Sequence, residues 1–185
     1  VLVAPATRNT LSKISAGVMD DPAMMAISAA SGAGRPILLV PSMHDDLFDD
    51  PVTQELLATM RGMGHHVLTS PSEEGRRKQP LPEVIVRRVC HLANGDRSGL
   101  CDVAVFYGAT SSNIDPVRVV TNTSSGRTGF LVSDHLERMG HNVTRVVGST
   151  STPHDHSGIS AQTPSDMIEA ASLISSEAPP DVWVI

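Results

Sequence analysis

The chain has 185 residues, a formal net charge of −6 and 40% hydrophobic residues, which is enough for a packed core in one domain or two small ones and argues against wholesale disorder. The acidic balance, the lack of a long basic run and an aromatic content of 3% disfavour a nucleic-acid binder or base-stacking platform. No apolar run approaches the roughly 20 residues of a membrane helix, and two cysteines cannot staple a secreted scaffold, which points to a reducing, cytoplasmic compartment.

In chain order, residues 1–4 read as a buried strand, and a helical pattern follows from about residue 10 to 31. Residues 37–40 form a second apolar run, and a helix is expected over 51–63. Asp50 is its N-cap, Pro51 its first turn and Gly64 its stop, with Leu56, Met60 and Met63 on one face. Val67 and Leu68 suggest a short third strand, and 82–92 a closing helix with Ile85, Val89 and Leu92 aligned. The apolar pattern then stops. Residues 94–100 read as a linker between a first unit, 1–93, and a second, 101–185.

The second unit restarts with a strand at 103–107 and a loop rich in Ser, Thr and Asn that runs to Gly126. A helix follows with Val132, Leu136 and Met139 on one face. Then come a strand at 143–147, a helix at 166–175 and a buried strand at 182–185. Strand–helix alternation predicts an α/β protein with parallel sheets and crossover helices. Apolar strands at both ends, with Val at position 1 and no signal-peptide pattern, suggest an internal piece of a longer protein.

Ligands of open α/β sheets bind at strand carboxyl ends, so the loops there are the candidate sites. Residues 5–10, Pro-Ala-Thr-Arg-Asn-Thr, offer a small-residue approach and amide or hydroxyl groups for a flat ligand. They read equally as an ordinary turn and helix N-cap. In the loop that follows the second strand, His44 can orient a carboxylate or carry a proton, or be a solvent-exposed loop histidine. Asp45, Asp46, Asp49 and Asp50 are oxygen donors without a calcium-loop glycine pattern, so a solvated acidic loop is the better reading. His65 and His66 are adjacent and point to opposite faces of a strand, so no metal site is assigned. In the second unit, Gly108 and Thr110 follow a strand, and Ser124, Ser125, Gly126 and Arg127 open a helix. This is an anion-binding pattern, or a capped turn without ligand. Neither a Walker A motif nor Gly-x-Gly-x-x-Gly is present, which counts against a generic Rossmann-type NAD-binding oxidoreductase.

Two strings carry a family resemblance. The first runs Val1-Leu2-Val3-Ala4-Pro5-Ala6-Thr7-x-Asn9-Thr10-Leu11, then Pro41-x-Met43, then Asp50-Pro51-x-Thr53-Gln54-Glu55. It resembles the flavin-dependent cysteine decarboxylases, in the branch acting on phosphopantothenoylcysteine. The second, Ile114-Asp115-Pro116-Val117-Arg118-Val119-Val120-Thr121-Asn122-x-Ser124-Ser125-Gly126-x-x-Gly129, resembles phosphopantothenate–cysteine ligases. The order of the two is that of the bifunctional enzymes of coenzyme A synthesis.

The resemblance implies a flavodoxin-like unit followed by a Rossmann-like unit, each three-layered and each truncated. It implies FMN contacts for Pro5, Ala6, Thr7, Asn9 and Met43, and a substrate-carboxylate contact for His44, where most members have Asn and archaeal-type members resemble this chain. It implies a catalytic role for Asn122 on the acyl-nucleotide, and phosphate contacts for Gly108, Thr110, Arg118, Ser124, Ser125, Gly126 and Arg127. For Arg118 an ion pair with Asp115 that holds the loop is the alternative. Implied partners are 4′-phosphopantothenate, cysteine and CTP or ATP with Mg²⁺, in a cytoplasmic homo-oligomer; the fragment alone is expected to be inactive. One departure matters: the family's flap carries a proton-donating cysteine, and residues 72–78, Ser-Glu-Glu-Gly-Arg-Arg-Lys, have none. Cys90 lies on a predicted helix as a core thiol. The lost cysteine keeps open a second reading, a flavodoxin-like module without chemistry ahead of a working ligase.

Overall fold

The computed structural model describes residues 1–185, which divide into two compact units, Val1–Val89 and Cys90–Ile185. In the first, strand β1 (Leu2–Ala6) leads into helices α1 (Arg8–Ala16) and α2 (Pro22–Gly32). Strand β2 (Leu38–Pro41) is followed by the short β3 (Met43–His44), the single turn α3 (Asp45–Phe48) and helix α4 (Pro51–Gly62). Strands β4 (His66–Val67) and β5 (Arg76–Arg77) precede α5 (Pro82–Asn94). The sheet order is β1-β2-β4, all parallel. The division by compactness thus falls inside α5, ahead of residues 94–100.

The expected single helix over 10–31 is two. Gly17, at φ 67°, caps α1, and Asp21 restarts the chain as N-cap of α2 with Pro22 in its first turn. Lys13 reaches back to Asp20 at 2.8 Å and so ties the connection to α1. Asp50 and Pro51 start α4 as expected, and Leu56 and Met60 of the expected face meet the core, but Met63 does not. Thr53, Leu57 and Met60 are buried, whereas Met63 is 48% exposed. The core gathers Leu11, Met24, Ile27, Ile37, Leu39, Leu57 and Met60. Leu38 and Val40 are also buried, so β2 is covered on both faces, as the central strand of a parallel sheet must be.

The second unit runs β6 (Asp102–Tyr107), β7 (Ser111–Asn113), β8 (Val119–Thr121), α6 (Arg127–Arg138), β9 (Asn142–Val147), β10 (Ile159–Ser160), α7 (Pro164–Glu177) and β11 (Val182–Val184). Its sheet is β10-β9-β6-β11, all parallel. The period-2 alternation of β6 builds two cores. Val103, Val105 and Tyr107 pack with Phe130 of α6, while Ala104 packs with Ala170 and Ile174 of α7. A helix therefore covers each face, giving the three-layer arrangement. Two further corrections belong here. Residues 111–121 are a hairpin, β7 antiparallel to β8, where the sequence suggested loop. Leu136 of the expected face packs on the core, but the buried residues of α6 are Phe130 and Ser133, while Val132 and Met139 are 37% and 38% exposed.

The burial of Ser133 follows from a charge in the core. Arg145 of β9 lies on the α6 side and is only 6% exposed. It donates to Ser133 Oγ at 3.0 Å and Glu137 at 2.7 Å, and its guanidinium lies 5.7 Å from the Phe130 ring. A buried cation requires such partners, so the small polar Ser133 faces inward. The terminal strands are sheet edges, and they are more open than apolar runs suggest: Leu2 is 45% and Trp183 38% exposed. Cys90, expected in the core, is half-buried.

Candidate functional sites

In each unit the candidate residues gather where parallel strands end. At the end of β1, Ala6 is fully buried while Pro5, Thr7 and Asn9 are exposed. Thr7 is engaged locally: its Oγ1 accepts the Thr10 N–H at 3.2 Å and caps α1. Asn9 carries no such duty, and its amide faces solvent on the first turn of α1. Arg8, between them, donates to Asp50 at 2.7 Å. The Val52 N–H, and then Arg8, hold the Asp50 carboxyl below the usual carboxylate range. This pair joins the loop after β1 to the start of α4.

The expected solvated acidic loop is instead a set of anchors. Met43 is packed on the core and His44 is exposed. Their strand β3 pairs antiparallel with β5, which returns from a tight turn at Glu74 and Gly75, both at positive φ. Residues 72–78 are thereby fastened over α3. Arg77 lies 4.1 Å above the Phe48 ring, within 3.7 Å of Asp45 and 3.6 Å of Asp49. Ser72 donates to Asp45, and the Asp45 N–H donates to Gly75 O at 3.0 Å. The four aspartates divide their work: Asp45 and Asp49 hold the hairpin, Asp50 caps α4 and binds Arg8, and Asp46 is exposed. None of this was visible in the sequence, because an Arg-Phe-Asp cluster with members some 30 residues apart has no local pattern. His65 is buried, and burial pushes its pKa down.

In the second unit, Asn122 Oδ1 accepts the Ser124 N–H at 3.0 Å. This fixes the side chain in an Asx turn and leaves its NH₂ as an outward donor. The N-cap of α6 is Gly126, at φ 75° and without a side-chain cap. Its N–H and that of Arg127 meet serine hydroxyls only at 3.4 Å, so the first-turn donors are weakly committed. Glycine is required here by close approach. A Cβ on Gly129 would lie 2.2 Å from Tyr107 Cβ, and one on Gly126 would lie 2.7 Å from Thr150 Cγ2. The packing brings the helix start onto the end of β6. A cleft of about 360 Å³ results, lined among others by Tyr107, Gly108, Ser124, Ser125, Gly126 and Arg127.

Thr110 is not among the residues lining the cleft, and its carbonyl accepts from Thr121 Oγ1 at 3.0 Å. Arg118 is turned elsewhere, with Nε 2.6 Å from Asp115 Oδ2. Asp115 also accepts the Val117 and Arg118 N–H groups, and Arg118 first, then these, lower its pKa. The pair clasps the tip of the β7–β8 hairpin.

Sequence reading missed a histidine pair packed on Phe130 and Tyr107. His154 stacks on Phe130 at 4.4 Å, and His156 lies 2.8 Å from Thr152 Oγ1 and 3.4 Å from the Tyr107 hydroxyl. The His-x-His spacing on 154–156 was a signal available for it.

Comparison with known proteins fits this two-part geometry. Residues 1–94 match the Flavoprotein family, and residues 100–183 match the DNA/pantothenate metabolism flavoprotein C-terminal domain. The coenzyme A biosynthesis bifunctional protein CoaBC of Thermococcus kodakarensis is 35% identical over 171 residues, covering 92% of this chain and 42% of that protein. A cysteine/cysteine sulfinic acid decarboxylase from an unknown prokaryotic organism is 32% identical, over 92% of this chain and 50% of its own length. Among solved structures, a PPC decarboxylase mutant complexed with pantothenoylaminoethenethiol is 23% identical with a TM-score of 0.45, covering 48% of this chain and 51% of that one. The chain spans about half the length of the curated relatives it matches.

Proposed function

The chain belongs to the Flavoprotein family, which matches more than half of it, and from that membership we propose that it forms the central part of a bifunctional enzyme of coenzyme A biosynthesis. The ligase unit joins cysteine to 4′-phosphopantothenate at the expense of a nucleotide, CTP or ATP. The flavoprotein unit decarboxylates the product, phosphopantothenoylcysteine, to 4′-phosphopantetheine. The observation that carries this reading is the continuous similarity to CoaBC across 92% of the chain, spanning both units in one order.

The residues of the first unit fit FMN. A fully buried alanine at the strand end leaves the backbone approachable, and Asn9 has a free amide beside it. Pro5, Ala6, Asn9 and Met43 would hold the flavin, with Thr7 contributing through the turn it caps. When bound, FMN would accept a hydride from the thiol-bearing carbon, which labilises the neighbouring carboxylate, and would return it after loss of CO₂, so that the net reaction is redox-neutral. His44 donates a hydrogen bond to that carboxylate and orients it.

In the second unit the phosphopantothenate carboxylate attacks the nucleotide α-phosphate, forming the acyl-nucleotide and releasing pyrophosphate. The cysteine amine then displaces the nucleotide monophosphate. Gly108, Thr110, the Ser124 hydroxyl and the Ser125 and Gly126 N–H groups bind phosphate, with Arg127 adding charge. The Asn122 NH₂ stabilises the oxygen on which charge develops. Arg118 acts through the hairpin it clasps. No group of three or more His, Cys, Asp or Glu side chains is gathered for a metal, and Mg²⁺ would be carried mainly by the nucleotide phosphates and water. The assembly is read as a cytoplasmic homo-oligomer; no helix is long and apolar enough to cross a membrane.

The hairpin without a cysteine favours one rival, a working ligase behind a flavodoxin-like module without chemistry. The test uses the full-length protein with phosphopantothenate, cysteine, CTP and Mg²⁺. A flavin spectrum with formation of both phosphopantothenoylcysteine and phosphopantetheine is expected. Accumulation of the former with no flavin supports the rival, and formation of neither refutes both readings.

A further inference from the structure

The register of the antiparallel β3–β5 pair decides which side chains share a face. Met43 stands opposite Arg77, and His44 opposite Arg76. Directly opposed residues of an antiparallel pair project to the same side, their Cβ atoms about 4.5–5.5 Å apart. Met43 packs on the core and Arg77 covers Phe48, so that pair faces inward. His44 and Arg76 therefore face outward together, and both are exposed.

The charges of the hairpin separate Arg76 from its neighbours. Arg77 lies between Asp45 and Asp49, and Lys78 lies 3.6 Å from Glu73 and 3.7 Å from Glu74. The Arg76 guanidinium makes no ion pair, and Glu73, which stands opposite Arg76 across the tight turn, lies 3.6 Å from Lys78 instead. A guanidinium without an ion pair is thus held beside His44, on the loop that follows the end of β2, while the two cations next to it are ion-paired.

We propose that Arg76 is a second donor for the substrate carboxylate, acting with His44 and setting the preference for a carboxylate-bearing thiol; this rests on the decarboxylase reading above. A guanidinium presents paired N–H donors that match a carboxylate, whereas His44 offers one at a time. Arg77 is the positioning residue, because its stacking on Phe48 and its two aspartates hold Arg76 in register with His44.

The test uses the full-length, FMN-loaded protein and two compounds that cannot be oxidised at sulfur. They are the serine counterpart of phosphopantothenoylcysteine and its decarboxylated, ethanolamine-bearing counterpart. Calorimetry on the wild type should show tighter binding of the carboxylate-bearing compound. Arg76→Gln should shrink that preference by about tenfold or more, the range of a hydrogen bond to a charged group, and leave the decarboxylated compound unaffected. Arg76→Lys, which keeps the charge without the fork, should restore part of it. An undiminished preference in Arg76→Gln overturns the assignment of Arg76 alone. A flavin-loaded wild type that binds neither compound overturns the decarboxylase reading, and Arg76 with it.

Discussion

Replacing Asn122 by Asp exchanges an NH₂ donor for a charged oxygen and leaves the backbone turn in place. The Asn122 Oδ1 that accepts the Ser124 N–H at 3.0 Å has a counterpart in the carboxylate, so the turn keeps its hydrogen bond. The NH₂ donor is lost and a negative charge takes its place, which adds repulsion from the phosphates to the loss of the hydrogen bond. The residue is exposed, so fold stability should move by no more than about 0.5 kcal/mol. If that NH₂ meets the developing oxyanion, its loss costs about 10²–10³ in rate, or roughly 2.7–4 kcal/mol. Its exposure to water puts the expected effect at the lower end, about 10²-fold.

The activation step precedes the one affected, so the acyl-nucleotide should accumulate when the full-length variant meets phosphopantothenate, CTP and Mg²⁺, and drain slowly once cysteine is added. Asn122→Ala is the useful contrast. It also releases the Ser124 N–H and should loosen the turn by about 0.5–1.5 kcal/mol, which is seen as faster hydrogen exchange at residues 123–126. Wild-type product formation by Asn122→Asp, with no trapped intermediate, would refute the assigned role.

Asn9→Ala should weaken flavin retention by about 1–3 kcal/mol if its amide contacts the ring in a dry site; equilibrium dialysis against FMN reads this, and unchanged affinity counts against the contact. His44→Asn should retain decarboxylation, because the amide still donates to a carboxylate, whereas His44→Leu should abolish it with FMN still bound; loss of the half-reaction on adding a chelator would instead point to a metal. Glu137→Gln strips the charge partner from Arg145, whose side chain is 5% exposed, and should destabilise the second unit by about 3 kcal/mol. Urea unfolding followed on that unit measures it, with Glu169→Gln on the exposed face of α7 as the control that stays unmoved.

The residues that touch only their chain neighbours were legible without coordinates. Asp50-Pro51 starts a helix because a carboxylate beside a proline satisfies the first N–H groups locally. The parallel α/β class followed from alternating apolar runs and helical periods, and the Asn-x-Ser-Ser-Gly string marked a strand-to-helix turn for the same local reason. What periodicity could not decide was which face of a helix meets the sheet, since that depends on the partner strand. On α6 the buried Arg145 of β9 draws Ser133 and Glu137 inward and turns Val132 outward.

The site itself divides along the same line. Asn122, Ser124 and Gly126 are neighbours in the chain, so their turn could be read directly, whereas the reason for Gly129 lies in Tyr107, 22 residues away. The hairpin over α3 depends still more on tertiary contact. Arg77 finds Phe48, Asp45 and Asp49 across about 30 residues, and a register shifted by one residue would turn Arg76 away from His44. Local hydrogen bonding leaves its mark in adjacent letters, but cross-strand register and cation packing arise only once the chain has folded back on itself.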